Sequence, residues 1–194
     1  QTLGNFEFYY TPGHSPDELC IKLDNVLFSG DHILPRITPH PSMSLSYEPF
    51  KNILPKSYQG GNEYYGLLAY IKSLKKASSI ESIDLVLAAH RAYRYGQFNL
   101  IDLSRIPEII DHHKERCLEI LHLIETGVRD LTELTHKTFS NRVLEGNQFY
   151  SAFTENISHL EILRDAGDIV FEGGQFLDVS PTGSNHFIGL IDNC

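Results

Sequence analysis

The sequence predicts a mixed α/β protein with a β-rich first domain, residues 1–105, and a small helical second domain, residues 106–180. Two observations carry this prediction. Short apolar stretches bounded by turn residues dominate the first domain, as is typical of strands. In the second domain, apolar residues recur every three or four positions, as in amphipathic helices. Residues 181–194 have no pattern that we can assign and are expected to be a tail.

Strands are predicted at the start of the chain. Residues 5–11 alternate in polarity and are rich in Phe and Tyr, which indicates a strand. Residues 19–23 and 26–29 indicate a hairpin whose turn is Asp24-Asn25. Residues 35–55 are rich in Pro and Ser without periodicity. We expect them to form a long loop, and loops of this length in compact domains are often functional.

A helix and a further strand follow the loop. Asn62 is a candidate N-cap, and the helix after it has an apolar stripe formed by Leu67, Leu68, Ile71 and Leu74. Residues 83–87 indicate a short buried strand. This order fits one half of a sandwich of two sheets enclosed by helices. Because one half alone leaves a sheet face open, we expect exposed apolar surface, a homodimer or poor order there.

Three helices and a hairpin are predicted in the second domain. The first helix spans residues 106–125, with Leu118, Leu121 and Ile124 on its apolar face. Asp130 and Glu133 form a capping box that begins the second helix. The third spans residues 148–166, with Gly167 as its stop signal and a core face of Phe153, Ile157, Leu160 and Leu163. A hairpin around Gly173-Gly174 completes the order of a winged-helix domain.

Composition and charge limit the classes of function that the chain can have. The chain has 41% hydrophobic and 21% charged residues and a formal net charge of −9, so its field repels polyanions and nucleic-acid binding is not expected. The sequence has no apolar stretch long enough to cross a bilayer. Its three scattered cysteines favour free thiols in a reducing compartment, and we therefore predict a cytoplasmic protein.

Three metal-capable side chains follow three of the predicted strands. His14 lies in a Thr-Pro-Gly-His-Ser-Pro segment, Asp31 follows Phe-Ser-Gly, and His90 follows the third strand. The Pro-Gly pair before His14 favours a tight bend that aims this side chain in one direction. A carboxylate has two oxygens and can bridge two cations. This pattern of His, Asp and His predicts part of a two-metal site.

These three segments resemble the second half of the metallo-β-lactamase fold hydrolases. In that family, a Thr-Pro-Gly-His segment, a strand ending in Ser-Gly-Asp and a strand ending in a lone His occur in this order. The resemblance implies a four-layer αβ/βα sandwich with two zinc ions. It further implies that His14 binds the first zinc, that Asp31 bridges both ions and serves catalysis by orienting the nucleophile, and that His90 binds the second.

The family's His-x-His-x-Asp-His motif is not found in this chain. The ten histidines include no pair spaced two apart. We therefore expect that the chain is the C-terminal part of a longer hydrolase. We also expect it to bind zinc weakly or not at all by itself and to have no turnover, because His14, Asp31 and His90 are too few ligands.

Two runs in the second domain, residues 111–116 and 156–167, resemble the C-terminal domain of one branch of the same family. That branch includes glyoxalase-II-like proteins and lactamase-β-like endoribonucleases. The resemblance implies zinc-dependent hydrolysis of a small ester or thioester. The alternative is a metal-dependent endoribonuclease, which should show a basic rim. A third interpretation is a non-catalytic winged-helix regulator, against which the retained His14, Asp31 and His90 argue.

Four more histidines are candidates for the surroundings of the site. His32 and His40 are predicted to be exposed or to contact the ligands from outside. His112 and His113 lie early in a predicted helix. One of them faces the rim of the site, or both lie on the helix surface, and the sequence leaves these alternatives open.

Overall fold

The structure is a computed structural model that describes residues 2–56, 59–141, 143–172, 175–179 and 185–194. For Asn62 and for residues 171–172 and 175–179 it describes the backbone only. Gly173 and Gly174, the predicted hairpin turn, lie outside the described residues.

A five-stranded sheet forms the first part of the chain, in the order β1 (Thr2–Leu3), β2 (Phe6–Tyr10), β3 (Leu19–Leu23), β4 (Val26–Gly30) and β5 (Leu85–Ala88). The first four strands are antiparallel neighbours, whereas β5 pairs with β4 in parallel. Asp24 adopts a φ of 54° in the turn between β3 and β4. The predicted strand, hairpin and later strand are confirmed within two residues.

The two faces of this sheet have different environments. Cys20, Leu27 and Val86 are buried and belong to the same cluster as the apolar residues of helix α1 (Gly66–Ser78). On the other face, the exposed fractions are 42% for Phe6, 45% for Leu19 and 41% for Phe28. Because side chains alternate along a strand, these residues form one open apolar surface. The expected open face is confirmed, and homodimer formation stays a prediction.

Helix α1 connects β4 to β5 and packs on the sheet. A 3₁₀ turn spans Gly61–Tyr64, and α1 begins after Tyr65, whose φ of −113° and ψ of 157° are those of an N-cap. The prediction of Asn62 as N-cap was wrong, because Asn62 lies inside the preceding turn. The Gly66 N–H instead donates to Ser42 Oγ at 3.2 Å, a partner from the long loop that local sequence does not reveal.

Three helices and a hairpin form the second part of the chain: α2 (Arg105–Glu125), α3 (Leu131–Thr138), α4 (Asn147–Asp165), and β8 (Ile169–Glu172) paired with β9 (Gln175–Val179). A two-stranded ribbon, β6 (Tyr93–Arg94) and β7 (Gln97–Phe98), precedes them and was not predicted. Asp130 caps α3 by accepting from the Glu133 N–H at 2.7 Å. Gly167, with a φ of 78°, follows the end of α4 as predicted.

The buried faces of α2 and α4 differ from the predicted ones. Leu118 is 40% exposed, because the buried row of α2 passes through Ile109, His113 and Cys117 instead. In α4, Phe153 and Ile157 are only half-buried. Several polar residues of α4 are buried there together with Leu160 and Leu163. A search for an apolar stripe does not find this face of α4, because the polar residues on it are buried against partners from elsewhere in the chain.

The segment expected to be a tail contains helix α5 (His186–Asn193). Phe187 and Ile191 are fully buried. At the start of α5, the buried carboxylate of Asp168 accepts from the backbone N–H groups of His186 at 2.9 Å and Phe187 at 2.8 Å. At its end, Lys75 donates to the carbonyls of Ile191 and Asp192. The tail prediction was wrong for these residues, and residues 181–184 lie outside the described ones.

One buried apolar cluster runs through both predicted domains, from Cys20 to Ile191. The division at residue 105 and the winged-helix interpretation stay predictions. Within the described ranges, no helix has both the length and the apolar character that crossing a membrane requires.

A buried pair of histidines joins α2 to α4. His113 Nδ1 lies 3.0 Å from His159 Nε2, and His159 Nδ1 lies 2.7 Å from the Glu155 carbonyl oxygen. A carbonyl oxygen only accepts, so His159 donates from Nδ1 and accepts at Nε2 from His113. Burial lowers the pKa of His159 to about 3 and the pKa of His113 well below its usual value. His113 therefore lies in the core and takes neither predicted position.

We predict that the protein loses stability in mild acid because of this pair. The unfolded chain binds protons on both histidines below pH ~6.5, whereas the folded chain does not. The free energy of unfolding should therefore fall by about 1.4 kcal/mol per pH unit for each neutral buried histidine. Urea unfolding between pH 7.5 and 5 measures this slope.

His159→Gln removes one histidine of the buried pair. His122→Gln is the matched control, because His122 is exposed on α2. The first substitution should reduce the slope and the second should leave it unchanged. Equal slopes in all three proteins would contradict the attribution of this pH dependence to the buried histidine pair.

Candidate metal site

The turn that carries His14 is packed against the backbone of α1. Gly13 has a φ of 135°, and a Cβ at this position would lie 2.2 Å from Tyr70 Cα. Ser73 Oγ donates to the Pro12 carbonyl at 2.6 Å. Only glycine permits this close approach, so the Pro-Gly pair fixes the position of His14 relative to α1.

A backbone carbonyl orients the imidazole of His14. Its Nδ1 lies 2.6 Å from the His40 carbonyl oxygen, which can only accept a hydrogen bond. Nδ1 therefore carries a proton, and the neutral ring has its lone pair at Nε2. That atom lies 3.8 Å from Asp31 Oδ2. An outer carbonyl that fixes the tautomer in this way is the usual support of a metal-binding histidine.

Asp31 and His90 follow neighbouring parallel strands. The Ala89 N–H donates to the Gly30 carbonyl at 2.8 Å, which holds the ends of β4 and β5 together. His90 Nε2 lies 3.3 Å from Asp31 Oδ1. This buried oxygen has no hydrogen-bond partner among the described residues. Each oxygen of Asp31 thus has a different histidine beside it.

These distances allow a test of whether the residues fit zinc. Two ligand atoms of a tetrahedral zinc ion lie roughly 3.3 Å apart when each bond is about 2.0–2.1 Å. The contact between His90 and Asp31 has this spacing, and the contact between His14 and Asp31 is longer. Within the described residues, no three His, Cys, Asp or Glu side chains are grouped so that they could hold a metal ion. The spacing of His90 and Asp31 is therefore compatible with a shared ion, whereas the spacing of His14 and Asp31 is longer than a shared ion requires.

Glu18 is a component of this site that the sequence did not reveal. Its Oε1 accepts from the Asp31 N–H at 2.9 Å, and its Oε2 is buried without a hydrogen-bond partner among the described residues. Burial raises the pKa of Glu18, although His14 and the Asp31 N–H act in the opposite direction. A Cβ on Gly30 would lie 2.8 Å from Glu18 Oε1. The only sequence signal was its place four residues after His14.

His32 and His40 differ from each other in their surroundings. His32 is fully buried, with its ring edge-on to Tyr70 at 5.1 Å between centroids, and burial lowers its pKa to about 4. Neither of its ring nitrogens has a partner among the described residues, so the prediction of an exposed or outer-contact role was wrong for His32. His40 contacts His14 as predicted for an outer residue, but through its carbonyl.

Helix α4 holds the loop that contains His40. His40 Nε2 lies 2.9 Å from Thr154 Oγ1. Ser158 Oγ lies 3.1 Å from the Ser42 carbonyl. Ser42 in turn donates from its N–H and its hydroxyl to the Gly13 carbonyl, at 2.7 and 2.8 Å. The position of His14 therefore depends on a helix more than 100 residues away in the chain.

Glu161 completes the attachment of this loop. Its two oxygens accept from the backbone N–H groups of Ser44 at 2.7 Å and Leu45 at 2.9 Å. Burial raises the pKa of Glu161 despite these two donors.

Solved structures of other proteins share the fold of this chain. No protein-family model matches the sequence, and no curated protein is significantly similar to it. A crystal structure of a metallo-beta-lactamase family protein from Thermus thermophilus matches with a TM-score of 0.63 and 24% identity over 89% of this chain. A beta-lactamase domain protein from Burkholderia ambifaria matches with a TM-score of 0.66 and 23% identity over 90% of the chain.

The chain has the metallo-β-lactamase fold. It spans about half the length of both solved structures, 48% in each case. The fold class predicted from the three short segments is confirmed. The roles of His14, Asp31 and His90 as ligands stay predictions.

We predict that Gly13→Ala destabilises the protein by about 3 kcal/mol or more, because the new Cβ overlaps backbone atoms that cannot move independently. Gly4→Ala is the matched control, since Gly4 also has a positive φ, 60°, but no atom within 4 Å of the added Cβ. It should cost only about 1 kcal/mol. Denaturant unfolding measures both, and similar losses would contradict a close approach of Gly13 to α1.

We also predict that Glu161→Gln loosens the loop at His40. One of the two backbone N–H groups then faces an amide NH₂ instead of an oxygen, at a cost of about 1.5–3 kcal/mol in unfolding free energy. Glu125→Gln, on the exposed end of α2, is the control and should have no effect. The NMR signals of the His14 ring should shift in the first variant only. Unchanged His14 signals would show that α4 does not position this residue.

Proposed function

We propose that this chain is part of a zinc-dependent hydrolase of small esters or thioesters. In this proposal His14, Asp31 and His90 are the metal ligands, with Asp31 shared between two ions and required for catalysis. The observation that carries the proposal is the carboxylate of Asp31 with one imidazole nitrogen beside each oxygen, at 3.8 and 3.3 Å. The metallo-β-lactamase fold supports it.

The hydrogen bonds around His14 favour a cation at this position. With a proton on Nδ1, the neutral His14 ring has a lone pair on Nε2, and this lone pair faces a carboxylate oxygen. Two acceptors do not attract each other, so a positive charge between them, a metal ion or a proton, stabilises the arrangement. Asp31 Oδ1, which has no hydrogen-bond donor among the described residues, has a place for a second cation beside His90.

The bound metal would supply Lewis acidity, which lowers the pKa of a water and stabilises negative charge that develops on the substrate. The protein's own contribution is to fix the ligands. The His40 carbonyl sets the tautomer and direction of His14. Glu18 accepts from the Asp31 N–H and so holds the end of β4 in place. The pairing of β4 with β5 brings His90 to the second oxygen of Asp31.

Three ligands do not complete two zinc positions, since structural zinc has about four ligands and catalytic zinc about three from the protein. We propose that the remaining ligands come from outside the described residues or from another chain. The 194-residue chain by itself should accordingly bind zinc weakly and lack turnover.

The state of the cysteines supports a cytoplasmic location, which we also propose. Cys20, Cys117 and Cys194 are all free. Burial raises the pKa of Cys20 to about 11 and raises the pKa of Cys117 further above its usual value. Neither buried thiol is therefore a reactive nucleophile at neutral pH.

The test is a zinc titration of the metal-free chain followed by NMR of the histidine rings. His14 and His90 should respond to zinc together. Asp31→Asn keeps the size of the side chain but removes the shared charge, and should weaken this response by more than the about 10- to 100-fold typical of outer contacts.

Asp17→Asn is the matched control, because Asp17 is an exposed carboxylate in the same segment as His14. It should leave the titration unchanged. If zinc shifts the NMR signals of other histidines and leaves those of His14 and His90 unchanged, the proposed ligand set is wrong.

A further inference from the structure

We propose that a groove beside the candidate metal site binds the anionic group of a small ligand through Arg36 and Arg91. The inference rests on the proposed function in taking this ligand to be the substrate. The substrate is then a small molecule with one carboxylate or phosphate group at a distance from the bond that is hydrolysed.

The groove has a volume of about 980 Å³ and is lined by the segment after β4, the residue after His90, and helices α2 and α4. Both arginines lie near the candidate ligands in the chain. Arg91 directly follows His90, and Arg36 lies five residues after Asp31. Because consecutive Cα atoms are about 3.8 Å apart, the part of the groove that Arg91 lines lies next to His90.

The two arginines are unusual in that their guanidinium groups have no partner in the described part of the chain. No hydrogen bond, ion pair or aromatic contact involves either guanidinium among the described residues, in contrast to the other arginines of the groove. Arg105 donates to the Leu34 and Ile37 carbonyls and pairs with Glu108. Arg116 pairs with Glu119, donates to the Thr138 carbonyl and stacks on Phe139. With respect to the described ranges, all five N–H donors of Arg36 and of Arg91 are therefore available.

The backbone at both arginines is also in the left-handed region. Arg36 has a φ of 65° and Arg91 a φ of 64°. Residues other than glycine rarely adopt this conformation, and where they do so the surrounding structure has to enforce it. Both side chains thus leave the backbone in directions that an ordinary extended or helical residue would not provide.

Carboxylates in the same groove limit the charge of the ligand. Helix α2 contributes the exposed Asp111 and Glu115, and α4 contributes Glu155. A long polyanion laid along the groove would be repelled by these carboxylates. A ligand with one anionic group needs only the two arginines and meets less of this repulsion.

The experiment is an NMR titration of the metal-free chain at low salt with benzoate, phenyl phosphate and, as the uncharged probe, benzyl alcohol. We expect a Kd of about 1–10 mM for at least one anion and no saturable binding of the alcohol. A response to benzoate alone assigns a carboxylate, and a response to phenyl phosphate alone assigns a phosphate. The double variant Arg36→Ala, Arg91→Ala should raise the Kd at least about tenfold.

The matched control is the double variant Lys51→Ala, Lys56→Ala, which removes the same net charge from exposed positions outside the groove. It should leave the Kd unchanged. The proposal is overturned if neither anion binds, if both double variants weaken binding equally, or if a short single-stranded RNA binds through these arginines more tightly than phenyl phosphate. Because no metal is present, failure of the zinc proposal does not affect this result.

Discussion

Loop residues 40–45 connect the candidate ligands to the rest of the structure. Their backbone groups face helix α4 on one side, where Ser158 and Glu161 contact them, and the His14 turn on the other. A buried backbone group without a partner costs about as much as a lost hydrogen bond, so this loop must keep both sets of contacts at once. The polar residues buried in α4 are explained by this requirement, since a purely apolar face would leave the loop unsatisfied.

The strand order places the other two candidate ligands. Because β4 and β5 run in parallel, their carboxyl ends meet at one edge of the sheet, and the residues that follow them lie side by side. Helix α1 makes the crossover between these strands and also receives Gly13 against its backbone. Helix α1 therefore sets the distance between the His14 turn and the strand ends, while loop residues 40–45 set the direction of the His14 ring.

The elements that local sequence patterns determine were predicted correctly. The hairpin before Asp31 and helices α2 to α4 all have signals within a few residues, such as alternation, capping and turn pairs. Prediction failed where the partner is distant in the chain. Helix α5 depends on Asp168 and Lys75, the start of α1 on Ser42, and the role of Glu18 on the strand end at Asp31. Leu118 was assigned to the core because the true row of α2 passes through a polar residue, His113.

The open apolar face of the sheet affects how the unfolding of this protein can be followed. Dyes that report unfolding do so by binding exposed apolar surface, and Phe6, Leu19 and Phe28 already offer such a surface in the folded state. In a dye-based melting curve, the fluorescence of the folded protein would already be high, so the change in fluorescence on unfolding would be small. The chain has ten tyrosines and no tryptophan, so tyrosine fluorescence or circular dichroism gives the cleaner signal.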